Sequence, residues 1–233
     1  MSKPALIVAE KVCKNYSTPE GPLSVLKGID FLLFEGEIAF IVGRSGSGKS
    51  TLLHILGGLD RATEGRIFFK GNDLSQMNEK ELALYRNRKI GFVFQFFHLL
   101  PELNLFENIL LPSVMSGNQN PTRARELIRR VGLRGRENHF PNQLSGGEQQ
   151  RVAIARSLMN QPDVIFCDEP TGNLDDETAD LVFDVLLRLQ RESGKALVIV
   201  THDERRVENY QKVYRLHDGI LSGDLRGEVS HGT

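Results

Sequence analysis

The chain has only two cysteines, almost no net charge (−1) and no apolar run of membrane length. Each shortage closes off a class of protein. A membrane-spanning helix needs about 18 consecutive apolar residues, and nothing here approaches that, so any membrane role has to run through a partner. The balanced charge gives no global attraction to nucleic acid or to an anionic lipid surface, and no nucleic-acid partner is expected. Cys13 and Cys167 lie in apolar, strand-like runs without metal-ligand spacing, and read as buried small hydrophobes of a reducing compartment. The opening Met1-Ser2-Lys3-Pro4 leads into a strand pattern and not a signal peptide, so a cytosolic chain is expected. Internal repeats and low-complexity segments are absent, and no N-K-x-D motif is present to read a guanine base.

What the sequence does contain is concentrated at residues 43–50. Gly43, Arg44, Ser45, Gly46, Ser47, Gly48, Lys49 and Ser50 spell G-x-x-x-x-G-K-[ST] directly after the apolar run Ile38–Val42. Triphosphate binding needs backbone N–H groups on several sides, and glycines let the chain approach without Cβ clashes. Thr51 and the following apolar residues continue as a helix, whose free first-turn N–H groups and dipole favour phosphate. In this pattern Lys49 reaches the β- and γ-phosphates of ATP and the Ser50 hydroxyl holds Mg²⁺.

The length of 233 residues suits one large domain. Up to about residue 95 the pattern is strand-rich, with Gly21-Pro22, Glu35-Gly36-Glu37 and Lys70-Gly71-Asn72-Asp73 marking turns. From about 102 to 158 strand signals vanish, and Pro112, Pro121 and Pro141 break up what reads as several helices, a helical insertion. Alternation then resumes with Val164–Cys167, a helix near 176–192 and Ala196–Val200. That helix places Leu181, Val182, Val185, Leu186 and Leu189 on one face. Continuous apolar strands flanked by helices imply a mainly parallel sheet covered on both sides. Residues from about 226 to 233 are expected to fray.

Two further motifs extend the nucleotide site. Val164–Cys167 runs into Asp168-Glu169-Pro170, which puts Asp168 where P-loop enzymes hold Mg²⁺ and Glu169 where a carboxylate can polarise the attacking water. Leu144-Ser145-Gly146-Gly147-Glu148-Gln149-Gln150-Arg151 contains a capping box, Ser145 with Glu148, that starts a helix. Two glycines at its first helical positions cost roughly 1 kcal/mol each relative to Ala, so capping alone does not select them. Exposed N–H groups at that turn form a second anion site.

The P-loop, the LSGGEQQR octapeptide and the CDEP carboxylates, in this order, resemble the ATPase subunits of ATP-binding cassette (ABC) transporters over essentially the whole chain. The resemblance implies an α/β fold: a P-loop NTPase (RecA-like) core with an N-terminal antiparallel β-subdomain and an inserted α-helical subdomain. It implies a single domain over residues 1–233, with approximately 1–95 and 159–233 forming the ATP-binding core and 96–158 the helical signature subdomain. It implies two copies facing head to tail, so that Ser145, Gly146 and Gly147 bind the γ-phosphate held by the partner's Lys49. By the same resemblance Tyr16 stacks on adenine, although a strand-edge tyrosine alone reads as structural. Gln95 senses Mg²⁺ and water, His202 contacts the γ-phosphate, and Asn173-Leu174-Asp175 crosses the dimer interface. His54, His98 and His139 match nothing catalytic.

Within the family, Leu52–Asp60, Phe94–Glu102 and Asp168–Asp175 resemble the LolD, MacB and FtsE group, LolD above all; Arg44 and Phe97 depart from the commonest LolD spelling at positions without chemistry. The LolD resemblance implies ATP-driven release of lipoproteins, with integral membrane subunits of the LolC and LolE type, at the cytoplasmic face of the bacterial inner membrane. MacB-like efflux and FtsE-like cell-wall signalling share the same phosphate chemistry. A DNA-repair ATPase fits less well, because no sustained heptads or Cys pairs separate P-loop from signature. The apolar run from Phe96 to Leu111 can line a groove for a partner helix, though most of it is expected to fill the insertion's own core. Arg123, Arg125, Arg129, Arg130, Arg134 and Arg136 read as a solvated helix face.

Overall fold

A computed structural model of the chain describes residues 4–19, 21–207, 210 and 212–223. The expected fraying of 226–233 lies outside the described residues. Two long strands, β1 (Ala5–Thr18) and β2 (Gly21–Phe34), pair antiparallel, and β4 (Glu64–Phe69) and β5 (Asn72–Asp73) complete a four-stranded sheet of order β2-β1-β4-β5. The second sheet contains β3 (Ile38–Val42), β6 (Ile90–Phe94), β7 (Val164–Asp168), β8 (Ala196–Thr201), β9 (Val213–His217) and β10 (Ile220–Gly223). Its order is β10-β9-β3-β8-β7-β6, parallel throughout except for the β9–β10 hairpin.

Side chains alternate across this second sheet and split the core in two. Ile41, Phe166, Val198 and Val200 face the antiparallel sheet and α1 (Lys49–Leu56), in a cluster that also takes Leu82 and Tyr85 of α2 (Glu79–Lys89). Phe40, Val42, Ile165, Cys167, Leu197 and Ile199 face the other way. There they pack on α3 (Leu105–Met115), α4 (Pro121–Arg130), α5 (Gly146–Ser157) and α6 (Asp176–Ser193). The fold is thus a P-loop α/β core with a mainly parallel sheet, an antiparallel β-sheet against one face and, against the other, helix α6 with helices α3, α4 and α5, which precede β7.

Four sequence expectations need correction. Pro112 does not break a helix but lies inside α3. The capping box of Asn104 and Glu107 locks the start of that helix, and the Pro112 carbonyl gains the amides of Asn87 (3.1 Å) and Asn160 (2.9 Å). Leu181 is 56% exposed, and Phe183 takes its place on the buried face of α6. Cys13 is half-buried, with its thiol aimed at the Lys11 carbonyl, while Cys167 is fully buried. Arg123 leaves the basic face of α4: its guanidinium donates to the Met159 and Leu158 carbonyls and satisfies the end of α5.

Candidate nucleotide site

Parallel pairing brings the ends of β3, β7 and β8 together, with Val42 opposite Thr201 and Asp168 opposite Val200. The residues just beyond these ends therefore share one sheet edge, the place where open α/β sheets bind ligands. They line one open cavity of about 620 Å³, together with Arg44, Ser45, Gly46, Thr51 and Gln95.

The loop between β3 and α1 is shaped by its glycines. Gly48 precedes α1 at φ 101°, a left-handed conformation that a side chain resists. At Gly43 a Cβ would lie 2.3 Å from the Leu216 carbonyl oxygen. No side chain caps the N-terminus of α1, so its first N–H groups stay open to an anion. Lys49, the first helical residue, is 5% exposed, and its ammonium donates to the Arg44 carbonyl at 3.0 Å and lies 3.5 Å from Glu169 Oε1. The cation is held over the loop at the mouth of the helix.

At the end of β7 the two carboxylates take different partners. Asp168 accepts a hydrogen bond from the Ser50 hydroxyl at 2.9 Å. Burial raises the Asp168 pKa, and the Ser50 bond and the charge of His54 only partly oppose this. Glu169 sits at φ 45°, rare for a residue with a side chain, and its N–H is held by the Val200 carbonyl at 2.9 Å. That kink turns its carboxylate between Lys49 and His202, whose Nδ1 lies 2.8 Å from Glu169 Oε2.

The remaining sequence candidates are placed as follows. Gln95 follows β6 on the cavity wall, but its amide donates to Asn173 Oδ1 at 2.9 Å and not to the Ser50–Asp168 pair. Tyr16 lies on β1 with its hydroxyl donating to Asp60 Oδ2 at 2.9 Å and in hydrogen-bonding reach of Thr51. Ser145 caps α5 in the anticipated box with Glu148, and Ser145, Gly146 and Gly147 lie outside the cavity. At Gly147 a Cβ would meet Thr178 Cγ2 of α6 at 2.4 Å, which is a packing reason for that glycine beside any phosphate role.

Some functional neighbours escaped the sequence. His54 matches nothing catalytic in the sequence, yet its Nε2 lies 3.9 Å from Asp168 Oδ2 because the sixth residue of α1 faces the end of β7. Gln150 is fully buried and donates to the Pro170 carbonyl at 2.6 Å and the Phe94 carbonyl at 3.2 Å. It ties the helix of the signature octapeptide to the ends of β6 and β7. The signal was its place inside that octapeptide, one turn from the cap.

Comparison with known proteins agrees with this geometry. The ABC transporter family model matches residues 26–172. A lipoprotein-releasing system ATP-binding protein LolD of Idiomarina loihiensis is 47% identical, covering 93% of this chain and 96% of its own. An uncharacterized ABC transporter ATP-binding protein of Thermotoga maritima is 49% identical over 95% of both chains. Among solved structures, a dimeric post-hydrolysis state of the ATP-binding cassette MJ0796, bound to ADP and Pi, superposes with a TM-score of 0.86 at 40% identity. It covers 95% of this chain and 99% of its own. The chain accordingly belongs to the ATP-binding subunits of ABC transporters, enzymes that bind and hydrolyse ATP.

Proposed function

We propose that the chain is the motor of a lipoprotein-releasing transporter, acting as a head-to-tail pair beneath two LolC/LolE-like membrane subunits at the cytoplasmic face of the bacterial inner membrane. The observation that carries the reading is the convergence of Lys49, the Ser50–Asp168 pair and the Glu169–His202 pair at one sheet edge. The phosphates of ATP lie along residues 43–51, where the Lys49 ammonium and the open N–H groups of α1 neutralise them. The Glu169 carboxylate takes the proton of the attacking water, and His202 orients that carboxylate from the far side and meets the γ-phosphate. Tyr16 receives the adenine ring.

Ser50 and Asp168 are hard oxygen donors in contact with each other, a donor set suited to Mg²⁺. Among the described residues no group of three or more His, Cys, Asp and Glu is placed to hold a metal. Ser50 and Asp168 would hold the ion together with oxygens of the nucleotide and water. Bound there, the ion supplies neutralisation of charge on the β- and γ-phosphates. Gln95, on the same cavity wall, would add a further oxygen donor and is held here by Asn173 of the 173–175 segment.

Ser145, Gly146 and Gly147 close the site of a second copy; the dimeric ADP- and Pi-bound neighbour supports this reading. Approximately 1–95 and 159–233 form the nucleotide-binding part and 96–158 the part that carries the signature. No described helix is long and apolar enough to cross a membrane, and in this reading the membrane subunits are separate chains. A groove lined by Leu59, Phe92, Phe94, Leu111 and Met115 is the docking face for them, and Met115 is 74% exposed. Cross-linking and detergent purification of a tagged copy from its own cells tests the assignment. A LolC/LolE-like pair with bound lipoprotein is expected, whereas cell-wall regulators, an efflux pump or DNA-repair proteins would contradict it.

A further inference from the structure

The β1 segment carrying Tyr16 is irregular. Its ladder with β2 shifts register between Val12 and Lys14 and again between Lys14 and Asn15, and its ladder with β4 ends at Cys13. Tyr16 lies just past these shifts, in the regular pairs from Asn15 with Ser24 to Thr18 with Gly21, which set its backbone. Side chains then set its ring. The Tyr16 hydroxyl donates to Asp60 Oδ2 at 2.9 Å, and Lys14 Nζ donates to Asp60 Oδ1 at 2.7 Å and to the Arg61 carbonyl at 2.8 Å. The Arg61 N–H closes on Asp60 Oδ1 at 2.7 Å, so the carboxylate has three donors. The Lys14 side chain is 12% exposed, and its ammonium lies over the Tyr16 ring, 4.7 Å from the centroid. One face of the ring is thereby occupied by a cation, and only the other is open to a planar ligand.

We propose that Asp60 and Lys14 are positioning residues for the nucleobase: they lock the Tyr16 ring at a fixed place relative to α1, so that base and phosphates are gauged from one helix. This rests on the assignment of the phosphates to residues 43–51 and of the base to Tyr16. Asp60 lies four residues beyond the end of α1, its N–H bonding the His54 carbonyl at 3.3 Å. An eight-residue helix is about 12 Å long, so Asp60 is tied to the end of α1 opposite its open N–H groups. Three donors on one carboxylate hold the Asp60 pKa down although burial pushes the other way. The ion pair therefore persists across the physiological range.

Steady-state kinetics of Tyr16→Phe, Asp60→Ala, Lys14→Met and the Tyr16→Phe/Asp60→Ala double variant test this, with inorganic tripolyphosphate as a competitor that has phosphates but no base. Loss of one hydrogen bond to a charged group predicts a rise in KM for ATP of about fivefold or more in each single variant, with the loss confined to KM. The double variant should match the worse single one, because both remove the same bond. Tripolyphosphate inhibition should not move in any of them, and Asp60→Asn, which keeps an acceptor, should recover part of the affinity. Unchanged KM, multiplying effects in the double variant, or a parallel loss of tripolyphosphate inhibition would overturn the proposal. Should Asp60→Ala fail to fold, the KM and tripolyphosphate readings of the Tyr16→Phe and Lys14→Met single variants decide the proposal. Failure of tripolyphosphate to compete with ATP in the unaltered chain would instead overturn the phosphate-site assignment beneath it.

Discussion

Gly147 offers a test of what its place in the signature segment is for. Its added Cβ in Gly147→Ala would lie 2.4 Å from Thr178 Cγ2, about 1 Å inside an ordinary carbon–carbon contact. Neither side yields easily. The capping box with Ser145 and Glu148 pins the start of α5, and the Thr178 N–H is bonded to Asp175 Oδ1 at 3.0 Å at the start of α6. Overpacking of this kind costs about 1–3 kcal/mol, and alanine returns up to about 1 kcal/mol of helix propensity. The expected net loss is about 1–2 kcal/mol, a fall in Tm of roughly 2–8 °C by calorimetry for a chain of this size. Thr178→Ser removes the opposing methyl, so Gly147→Ala should cost much less in that background. Gly146 is the control: its Cβ would press on the flexible end of Leu174 at 3.2 Å and touch Phe97 Cζ at an ordinary 3.7 Å, so Gly146→Ala should keep its Tm and any fall in turnover there reports on phosphate. A Gly147→Ala variant that melts higher than the parent, or whose loss ignores Thr178→Ser, would refute the packing argument.

Lys49→Ala removes an ammonium that bonds the Arg44 carbonyl and faces Glu169, and should weaken ATP binding by about tenfold to a hundredfold; a titration showing parental affinity would contradict the loop assignment. Asp168→Asn keeps an acceptor for Ser50 but removes a buried charge whose pKa burial raises, so it should stabilise the nucleotide-free chain at neutral pH while abolishing Mg²⁺-dependent turnover. The wild type carries the penalty only when Asp168 is ionised, so the advantage should fade as pH falls through that raised pKa; an advantage independent of pH would contradict the stated cause.

The phosphate loop and the carboxylates were legible because each is a contiguous string ending a continuous apolar strand, and parallel register then brings the strings together. The contacts that complete the site were not legible, because they join residues far apart in the chain: Tyr16 with Asp60, Gln95 with Asn173, His54 with Asp168. Helix α2 escaped because it buries only Leu82 and Tyr85, leaving almost no apolar period; its readable sign was the capping box of Asn78 and Glu81. Pro112 misled because a helix can run through a proline where its start is locked independently, here by the capping box of Asn104 and Glu107. Leu181 misled because an apolar residue on a helix need not face the core.

The central claim is that Glu169 works as the base of an ATP site closed by a second copy. Glu169→Gln preserves shape and removes the proton acceptor beside Lys49 and His202, and general-base loss is worth about 10²–10⁴ in rate. Phosphate release and sedimentation of this variant with Mg²⁺-ATP measure both halves of the claim together. The account predicts retained ATP binding, turnover lower by at least about a hundredfold and a dimer that accumulates. Turnover at the parental rate, or a monomer saturated with ATP, would contradict it.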